Sequence, residues 1–133
     1  MTATVSQNST DNQSDAVPAE VALVMSALEA GGFSDTNRRA GPRQRYRVAA
    51  DLRLFSDQQP ASPWRLFTRD INPRSLGFVS AHRLPLGHGG VIELPGLDGD
   101  PLSIHCTLIR CRQAAPGWYE GCLYFNREQA QFG

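Results

Sequence analysis

The sequence predicts a mainly β protein, a six-stranded antiparallel barrel preceded by one short N-terminal helix. From residue 46 onward, apolar and polar residues alternate in segments, as expected of strands with one buried face. Six such segments follow one another through short turns without a helical segment between them, which indicates antiparallel pairing. Closing such a sheet removes its exposed edges, so a small barrel is the most economical arrangement.

The N-terminal segment has a different composition from the rest of the chain. Residues 1–16 are mostly Ser, Thr, Asn, Gln and Asp. Such a segment buries too little apolar surface to offset the entropy lost on ordering. We therefore predict a disordered polar tail.

An amphipathic helix is predicted over residues 17–32, where the Gly31-Gly32 pair is a stop signal. Four apolar residues recur at helical spacing and share one face: Val17, Val21, Val24 and Leu28. We expect this face to pack on the domain, because a short helix is marginal alone. The alternative is a helix that binds a partner or a second copy of the chain.

The six predicted strands lie between residues 46 and 125 and are separated by turns rich in glycine and proline. They cover residues 46–55, 64–71, 76–82, 90–94, 102–111 and 118–125. In the fifth strand, extending the alternation beyond Cys106 and Leu108 would place Arg110 on their face. Arg110 and Arg112 flank Cys111 late in this strand, and we expect both to lie on the barrel surface. Residues 128–133 form a C-terminal tail.

The positive charge of the chain is concentrated in one region. All 13 basic residues are arginines, the net charge is zero, and the segment 33–47 is an arginine-rich linker. A guanidinium group offers a planar fork of donors that meets phosphate oxygens in pairs and also stacks on bases. The sequence thus predicts a small, defined site for a phosphate-bearing or nucleobase-bearing ligand. Zero net charge argues against a polymeric nucleic acid as the partner.

Several other functions are disfavoured. The histidines are scattered and no nucleophile lies in a recognisable elbow, so we expect no enzymatic activity. The cysteines Cys106, Cys111 and Cys122 lie in apolar segments, which favours buried thiols over a disulfide or metal site. No apolar run approaches the roughly 20 residues that span a bilayer, and no signal peptide is evident. We expect a cytoplasmic protein.

Two segments resemble the signatures of the PilZ domain, a family of small β-barrels that bind cyclic di-GMP. The first signature, Arg-x-x-x-Arg before the first strand, is matched by Arg39 and Arg43. The second, Asp/Asn-x-Ser-x-x-Gly, is matched in register by Asp70-Ile-Asn-Pro-Arg-Ser75. Here Asn72 stands where the family has serine, and Ser75 where it has glycine. The resemblance covers residues 37–127.

The resemblance implies a non-enzymatic cyclic di-GMP receptor that has no cofactor. In the family, the arginines contact phosphates and guanine faces, while the second signature bonds guanine edges. Carried over to this chain, the site residues are Arg39, Arg43, Asp70, Asn72, Ser75 and Gly77. Phosphate contacts would order the arginine-rich linker against the barrel and couple ligand binding to a change of shape.

Two alternatives remain open. The departures at Asn72 and Ser75 allow a PilZ-like protein-interaction module that has lost nucleotide binding. A small barrel that binds single-stranded nucleic acid through arginines and aromatic residues is the other class. The sequence identifies neither the protein partner nor the oligomeric state.

Overall fold

The computed structural model of the 133-residue chain describes residues 17–30, 43–57, 62–96 and 98–133. The predicted polar tail, the end of the predicted helix and Arg39 lie outside these residues. The described elements are one α-helix, seven strands and a short 3-10 helix. They are α1 (Ala19–Ala30), β1 (Gln44–Arg45), β2 (Ala49–Leu54), β3 (Trp64–Ile71), β4 (Ser75–Ser80), β5 (Gly89–Pro95), β6 (Pro101–Ala115), β7 (Trp118–Phe125) and the 3-10 helix Ala130–Phe132.

Six of the strands form a closed antiparallel barrel, which confirms the predicted fold class. The strands are paired in the order β3, β2, β5, β6, β7, β4, and the hairpin between β3 and β4 closes the ring. The two-residue strand β1 pairs with β3 beside the ring. Its residues were predicted to belong to the linker before the first strand. A strand of two residues is too short to show an alternation of apolar and polar residues.

The barrel interior is filled by apolar side chains from every strand of the ring. Phe78 is the largest fully buried side chain, and a Cβ atom on Gly121 would lie 2.4 Å from its ring. Gly121 is therefore required for the close approach of Phe78 to β7. The other core residues include Leu52, Leu66, Ile71, Leu76, Ile92, Leu108 and Leu123.

Two β-bulges change which side chains reach the outer face of the barrel. The register between β3 and β4 shifts between Thr68 and Asp70, and that between β6 and β7 shifts between Leu108 and Arg110. A bulge inserts an extra residue and breaks the strict alternation of faces. Strict alternation therefore ends after Leu108: Leu108 is in the core, whereas Arg110 forms ion pairs outside it, in agreement with the barrel-surface role predicted for it.

Helix α1 packs on the outside of the barrel. Its buried residues are Val21, Met25 and Leu28, which form a cluster with Val79. The predicted face was partly wrong, because Met25 is buried while Val24 is only partly covered. The packing on the domain agrees with the prediction. Among the described residues, no helix is long and apolar enough to cross a membrane.

The C-terminal residues close one end of the barrel. Phe132 is buried and stacks on Phe125 and against Tyr46, and its carbonyl oxygen accepts a hydrogen bond of 3.2 Å from the side chain of Gln44. The Tyr46 hydroxyl donates to the carbonyl oxygen of Pro95, and burial raises the pKa of Tyr46 to about 12. The C-terminal segment therefore helps to hold the start of the barrel.

Candidate functional site

Strand β1 brings the arginine-rich segment to the hairpin that closes the barrel. Gln44 pairs with Ile71 and Arg45 pairs with Asp70, so Arg43 lies immediately beyond the end of β3. Two segments that are far apart in sequence thus meet at one place. Arg43 of the first predicted signature thus lies beside the second, Asp70 to Ser75, because β1 pairs with β3 over two residues.

Arg43 is inserted between side chains of the second signature. Its Nη1 atom lies 2.7 Å from Oδ1 of Asp70, and its Nη2 atom donates to the Ser75 hydroxyl at 2.6 Å. Nη2 is also 3.5 Å from the Cys122 sulfur. The Arg43 side chain is only 8% exposed. A charged donor is therefore held against the barrel wall by an ion pair and a charge-assisted hydrogen bond.

Gly77 provides the space for this ion pair. A Cβ atom at Gly77 would lie 2.5 Å from Oδ1 of Asp70 and 3.8 Å from Nη1 of Arg43. No real Cβ atom approaches an oxygen so closely, so any side chain at this position would displace the Asp70 carboxylate. The absence of a side chain at Gly77 is a condition for the Arg43 to Asp70 contact.

Asn72 shapes the turn between β3 and β4. It is fully buried, and its Oδ1 atom accepts hydrogen bonds from the backbone nitrogens of Arg74 at 2.8 Å and Ser75 at 2.9 Å. Its own backbone nitrogen donates to the carbonyl oxygen of Ser75. This is the Asx-type turn that asparagine forms readily. The side chain thereby sets the direction in which Ser75 presents its hydroxyl.

The structure brings four of the six predicted site residues into one cluster: Arg43, Asp70, Ser75 and Gly77. Asn72 lies behind this cluster, inside the turn, where it supports Ser75. A direct contact of Asn72 with a ligand therefore stays a prediction. Arg39 lies outside the described residues. Ser75 occupies the first position of β4, paired with Tyr124, so its Cβ is accommodated in an extended strand.

The floor of the cluster is a row of small residues that crosses the strands. Asp70 pairs with Gly77, Gly77 pairs with Cys122, and Cys122 pairs with Arg110. Residues opposite one another in antiparallel strands point to the same face of a sheet. The two small residues Gly77 and Cys122 thus lie between Asp70 on one side and Arg110 on the other, and both are buried, with the Arg43 guanidinium 3.5 Å from the Cys122 sulfur.

A second charged cluster, which the sequence analysis did not predict, adjoins this floor. Glu120 is completely buried, and its carboxylate accepts hydrogen bonds from Arg110 at 2.8 and 2.9 Å and from Arg112 at 2.7 Å. Arg69 completes the cluster, with its Nη1 atom 3.4 Å from Glu120. We call these four residues the Glu120 cluster. Two features of the sequence indicate this cluster. Glu120 lies inside an apolar segment, and Arg110 and Arg112 are two residues apart, as are residues on one face of a strand.

The bulge in β3 explains how Arg69 and Asp70 both reach the outer wall. Consecutive residues of a regular strand point to opposite faces. Because the register shifts between Thr68 and Asp70, Arg69 contacts Glu120 while Asp70 contacts Arg43. Burial lowers the pKa of Arg69, whereas the carboxylates of Asp70 and Glu120 oppose that shift. An arginine remains charged at neutral pH even so.

Helix α1 is tied to the same wall at both of its ends. Glu20 accepts a hydrogen bond of 3.2 Å from the Trp118 ring nitrogen. Near the C-terminus of the helix, Glu29 lies 2.5 Å from Nη2 of Arg47 and 3.9 Å from Arg45. The helix therefore lies beside the candidate site, and its last acidic residue contacts arginines that follow Arg43 in the chain.

The opposite wall of the barrel has a different charge and a cleft of its own. A cleft of about 440 Å³ lies over β2 and β5, lined by residues that include Asp51, Arg65 and Glu93. Of the predicted site residues that the structure describes, none lines this cleft. Strands β2 and β5, with the turns that follow them, hold five acidic residues: Asp51, Asp57, Glu93, Asp98 and Asp100. Within the described part of the chain, no group of His, Cys, Asp or Glu side chains is suited to hold a metal ion.

The architecture is that of a PilZ-like barrel. In structure the chain is similar to the Bacillus subtilis inhibitor of motility MotI/DgrA, with a TM-score of 0.51 and 14% sequence identity. The match covers 70% of this chain and 44% of that one, so this chain spans less than half of that protein. At this identity the likeness shows the fold alone. No protein-family model matches the chain, and no curated protein is detectably similar in sequence.

Proposed function

We propose that this protein is a non-enzymatic receptor for cyclic di-GMP that acts in the cytoplasm. The observation that supports this most strongly is the contact of Arg43 with Asp70 and Ser75, which joins the two segments that resemble the PilZ signatures. These residues lie on an outer wall with a floor of small side chains, which suits a flat nucleobase. Arg39, four residues before Arg43, would supply the second guanidinium.

Binding would proceed by an exchange of partners at Arg43. Without ligand, Asp70 and Ser75 satisfy its two terminal nitrogens. A phosphate group would replace Asp70 as the partner of Arg43, because a phosphate oxygen pair matches the guanidinium fork. The released Asp70 carboxylate would accept the N–H groups of a guanine edge. The free energy of the Arg43 to Asp70 pair is thus part of the cost of binding.

The same exchange would transmit ligand occupancy to the linker. Arg43 and Arg45 are joined to the barrel through the short strand β1, and Arg45 and Arg47 contact Glu29 of helix α1. A ligand held by Arg39 and Arg43 would order the linker against the barrel and change the surface that a partner protein meets.

Isothermal titration calorimetry with cyclic di-GMP tests the receptor hypothesis. We expect the wild-type protein to bind, and Arg39→Ala and Arg43→Ala each to weaken binding at least tenfold, because a hydrogen bond to a charged group contributes about 1.5–3 kcal/mol. Arg65→Ala is the matched control. It removes an arginine that is also paired with a carboxylate, Asp51, but on the opposite wall. No heat with the wild-type protein would overturn the proposal.

Ser75→Gly is a more specific test, because it keeps Arg43 but removes a hydroxyl that competes with the ligand phosphate for the Arg43 guanidinium. The Ser75 hydroxyl accepts from Arg43 at 2.6 Å only while the arginine is in its ligand-free position. Removing this hydroxyl should tighten cyclic di-GMP binding about fivefold, since a charge-assisted hydrogen bond of about 1 kcal/mol or more is no longer broken. Unchanged or weaker binding would contradict the partner exchange.

The second candidate function is a protein-interaction module that does not bind nucleotide. One observation favours it: Arg43 is nearly buried and already paired, as a structural arginine would be. In that case Arg43→Ala would destabilise the fold, and capture of a partner from a lysate would be the same with and without cyclic di-GMP. Partner capture that depends on the nucleotide would exclude this candidate.

A further inference from the structure

The Glu120 cluster holds more positive charge than its carboxylate balances. Three arginines converge on the single buried carboxylate of Glu120. Along the same wall, Arg43 is paired with Asp70, and Arg45 and Arg47 share Glu29. Six arginines therefore face three carboxylates in a protein whose net charge is zero. Such a local excess attracts anions, and the low-dielectric wall beneath it strengthens that attraction.

Arg69 adds a buried positive charge beneath the same wall. Its side chain is only 3% exposed, and its Nη1 atom lies 3.4 Å from the Glu120 carboxylate, a long hydrogen bond. Among the described residues, its buried Nε atom has no hydrogen-bond partner. An anion held by the arginines beside it would stabilise this guanidinium through charge.

Glu120 fixes the two outer arginines side by side. It binds Arg110 and Arg112 through their Nε atoms, at 2.8 and 2.7 Å from the same carboxylate oxygen. The Glu120 carboxylate itself is completely buried, so it organises the arginines without meeting a ligand directly. The Arg112 side chain is 50% exposed, and that of Arg110 is 24% exposed. Both can therefore be reached from solvent.

The cluster is continuous with the Arg43 site. Arg110 pairs across the sheet with Cys122, the residue whose sulfur lies 3.5 Å from Arg43. Neighbouring strands are about 4.8 Å apart, so Arg110 lies about 10 Å from Gly77 along the row of small residues. Long arginine side chains shorten that gap. A ligand with two phosphates can span it.

We propose that Arg110 and Arg112 bind the second phosphate of the ligand, while Arg43 binds the first. The inference rests on the proposed function, since it assigns a further contact of the same cyclic dinucleotide. The ligand would lie across β4 and β7, with its bases over the floor of small residues. Arg69 and Glu120 act as positioning residues beneath it, because neither is exposed enough to meet the ligand.

The test is calorimetric titration of wild type, Arg112→Ala and Arg110→Ala with cyclic di-GMP, with Arg65→Ala as the control. We expect each of the first two variants to weaken binding about tenfold or more, as loss of a charge-assisted contact does, and the control to change it less than twofold. Arg112→Lys should restore only part of the affinity, because an ammonium group keeps the charge but loses the planar fork. Unchanged thermal unfolding of Arg112→Ala checks that the fold is intact.

The outcomes separate the two proposals. If wild type binds and Arg43→Ala does not, while Arg110→Ala and Arg112→Ala bind within twofold of wild type, the second phosphate contact is wrong and the receptor function stands. If wild type does not bind cyclic di-GMP, both are overturned. Phosphorus NMR of the bound ligand adds a readout that a purely structural role would not change: Arg112→Ala should shift one of the two phosphorus resonances and leave the other. Equal shifts of both would overturn the assignment.

Discussion

At the residue scale, the candidate site depends on a charge pair that is close, nearly buried and tightly enclosed. Arg43 and Asp70 meet at 2.7 Å over a glycine that has no room for a side chain. The sequence motif identified both residues, because their types and spacing are local properties. The motif could not show that Asn72 is buried in the turn, since the direction of that side chain depends on hydrogen bonds formed only when the hairpin closes.

Gly77→Ala tests the enclosure of the pair. The new Cβ would displace the Asp70 carboxylate, so we expect a loss of about 1–3 kcal/mol in the free energy of unfolding, the usual cost of overpacking. Urea unfolding measures it. In an Asp70→Ala background, Gly77→Ala should lower the free energy of unfolding by clearly less, because the carboxylate that the new Cβ would meet is absent. Equal costs in the two backgrounds would show that the strain arises elsewhere.

The Glu120 cluster predicts a different kind of residue effect. Glu120→Gln keeps the shape but leaves the buried Arg69 without its counter-charge, so we expect a loss of about 3 kcal/mol. Asp51→Asn is the matched control. It removes a carboxylate paired with the exposed Arg65, and such pairs contribute only about 0–1 kcal/mol. Chemical denaturation of both variants gives the comparison, and similar losses would contradict the structural role of Glu120.

At the element scale, the strands were largely predictable and the helix face was not. Alternation located the six barrel strands, because half of each strand faces the apolar interior. The bulges could not be located, and they decide that Arg69 and Arg110 reach the outer wall. In α1 both Val24 and Met25 are apolar, so only the position of the barrel surface beneath the helix selects Met25 for burial.

Met25→Ala tests how helix α1 is attached. Met25 is fully buried against the barrel, so its truncation should cost about 2–4 kcal/mol and raise amide hydrogen exchange along α1. Leu23→Ala in the same helix is the control. Leu23 is 72% exposed, and its truncation should change stability by less than about 0.5 kcal/mol. If both variants unfold like wild type, α1 is not docked in solution as described.

At the whole-molecule scale, closure of the barrel could be predicted from the sequence, but the strands that share each wall could not. The need to eliminate edges favours a ring, and β3 to β4 pairing supplies it. Which strands then share a wall depends on the ring order, which a list of strands does not contain. For this reason the contact of Arg112 with Glu120, and its closeness to Arg43, could not be predicted from the sequence.

Alkaline pH should destabilise the whole fold through two buried acids. Burial raises the pKa of Cys106 from 9.0 to about 12, and that of Tyr46 from 10.0 to about 12. Because the folded state holds these protons more tightly, the stability they contribute is complete below pH 9 and is lost as the pH rises towards 12. Urea midpoints between pH 8 and 11 should fall, and Cys106→Ala should delay the onset of this fall. A midpoint independent of pH would contradict it.

Among the described residues, arginines outnumber carboxylates on the Arg43 wall and carboxylates outnumber arginines on the opposite wall, so we expect this neutral protein to have an electric dipole moment. Arginines cluster on the wall of Arg43, and five acidic residues lie with β2 and β5 and the turns after them. Molecules without net charge but with a dipole attract one another head to tail when little salt is present. The protein should therefore be least soluble near neutral pH at low ionic strength, and dilute salt should redissolve it.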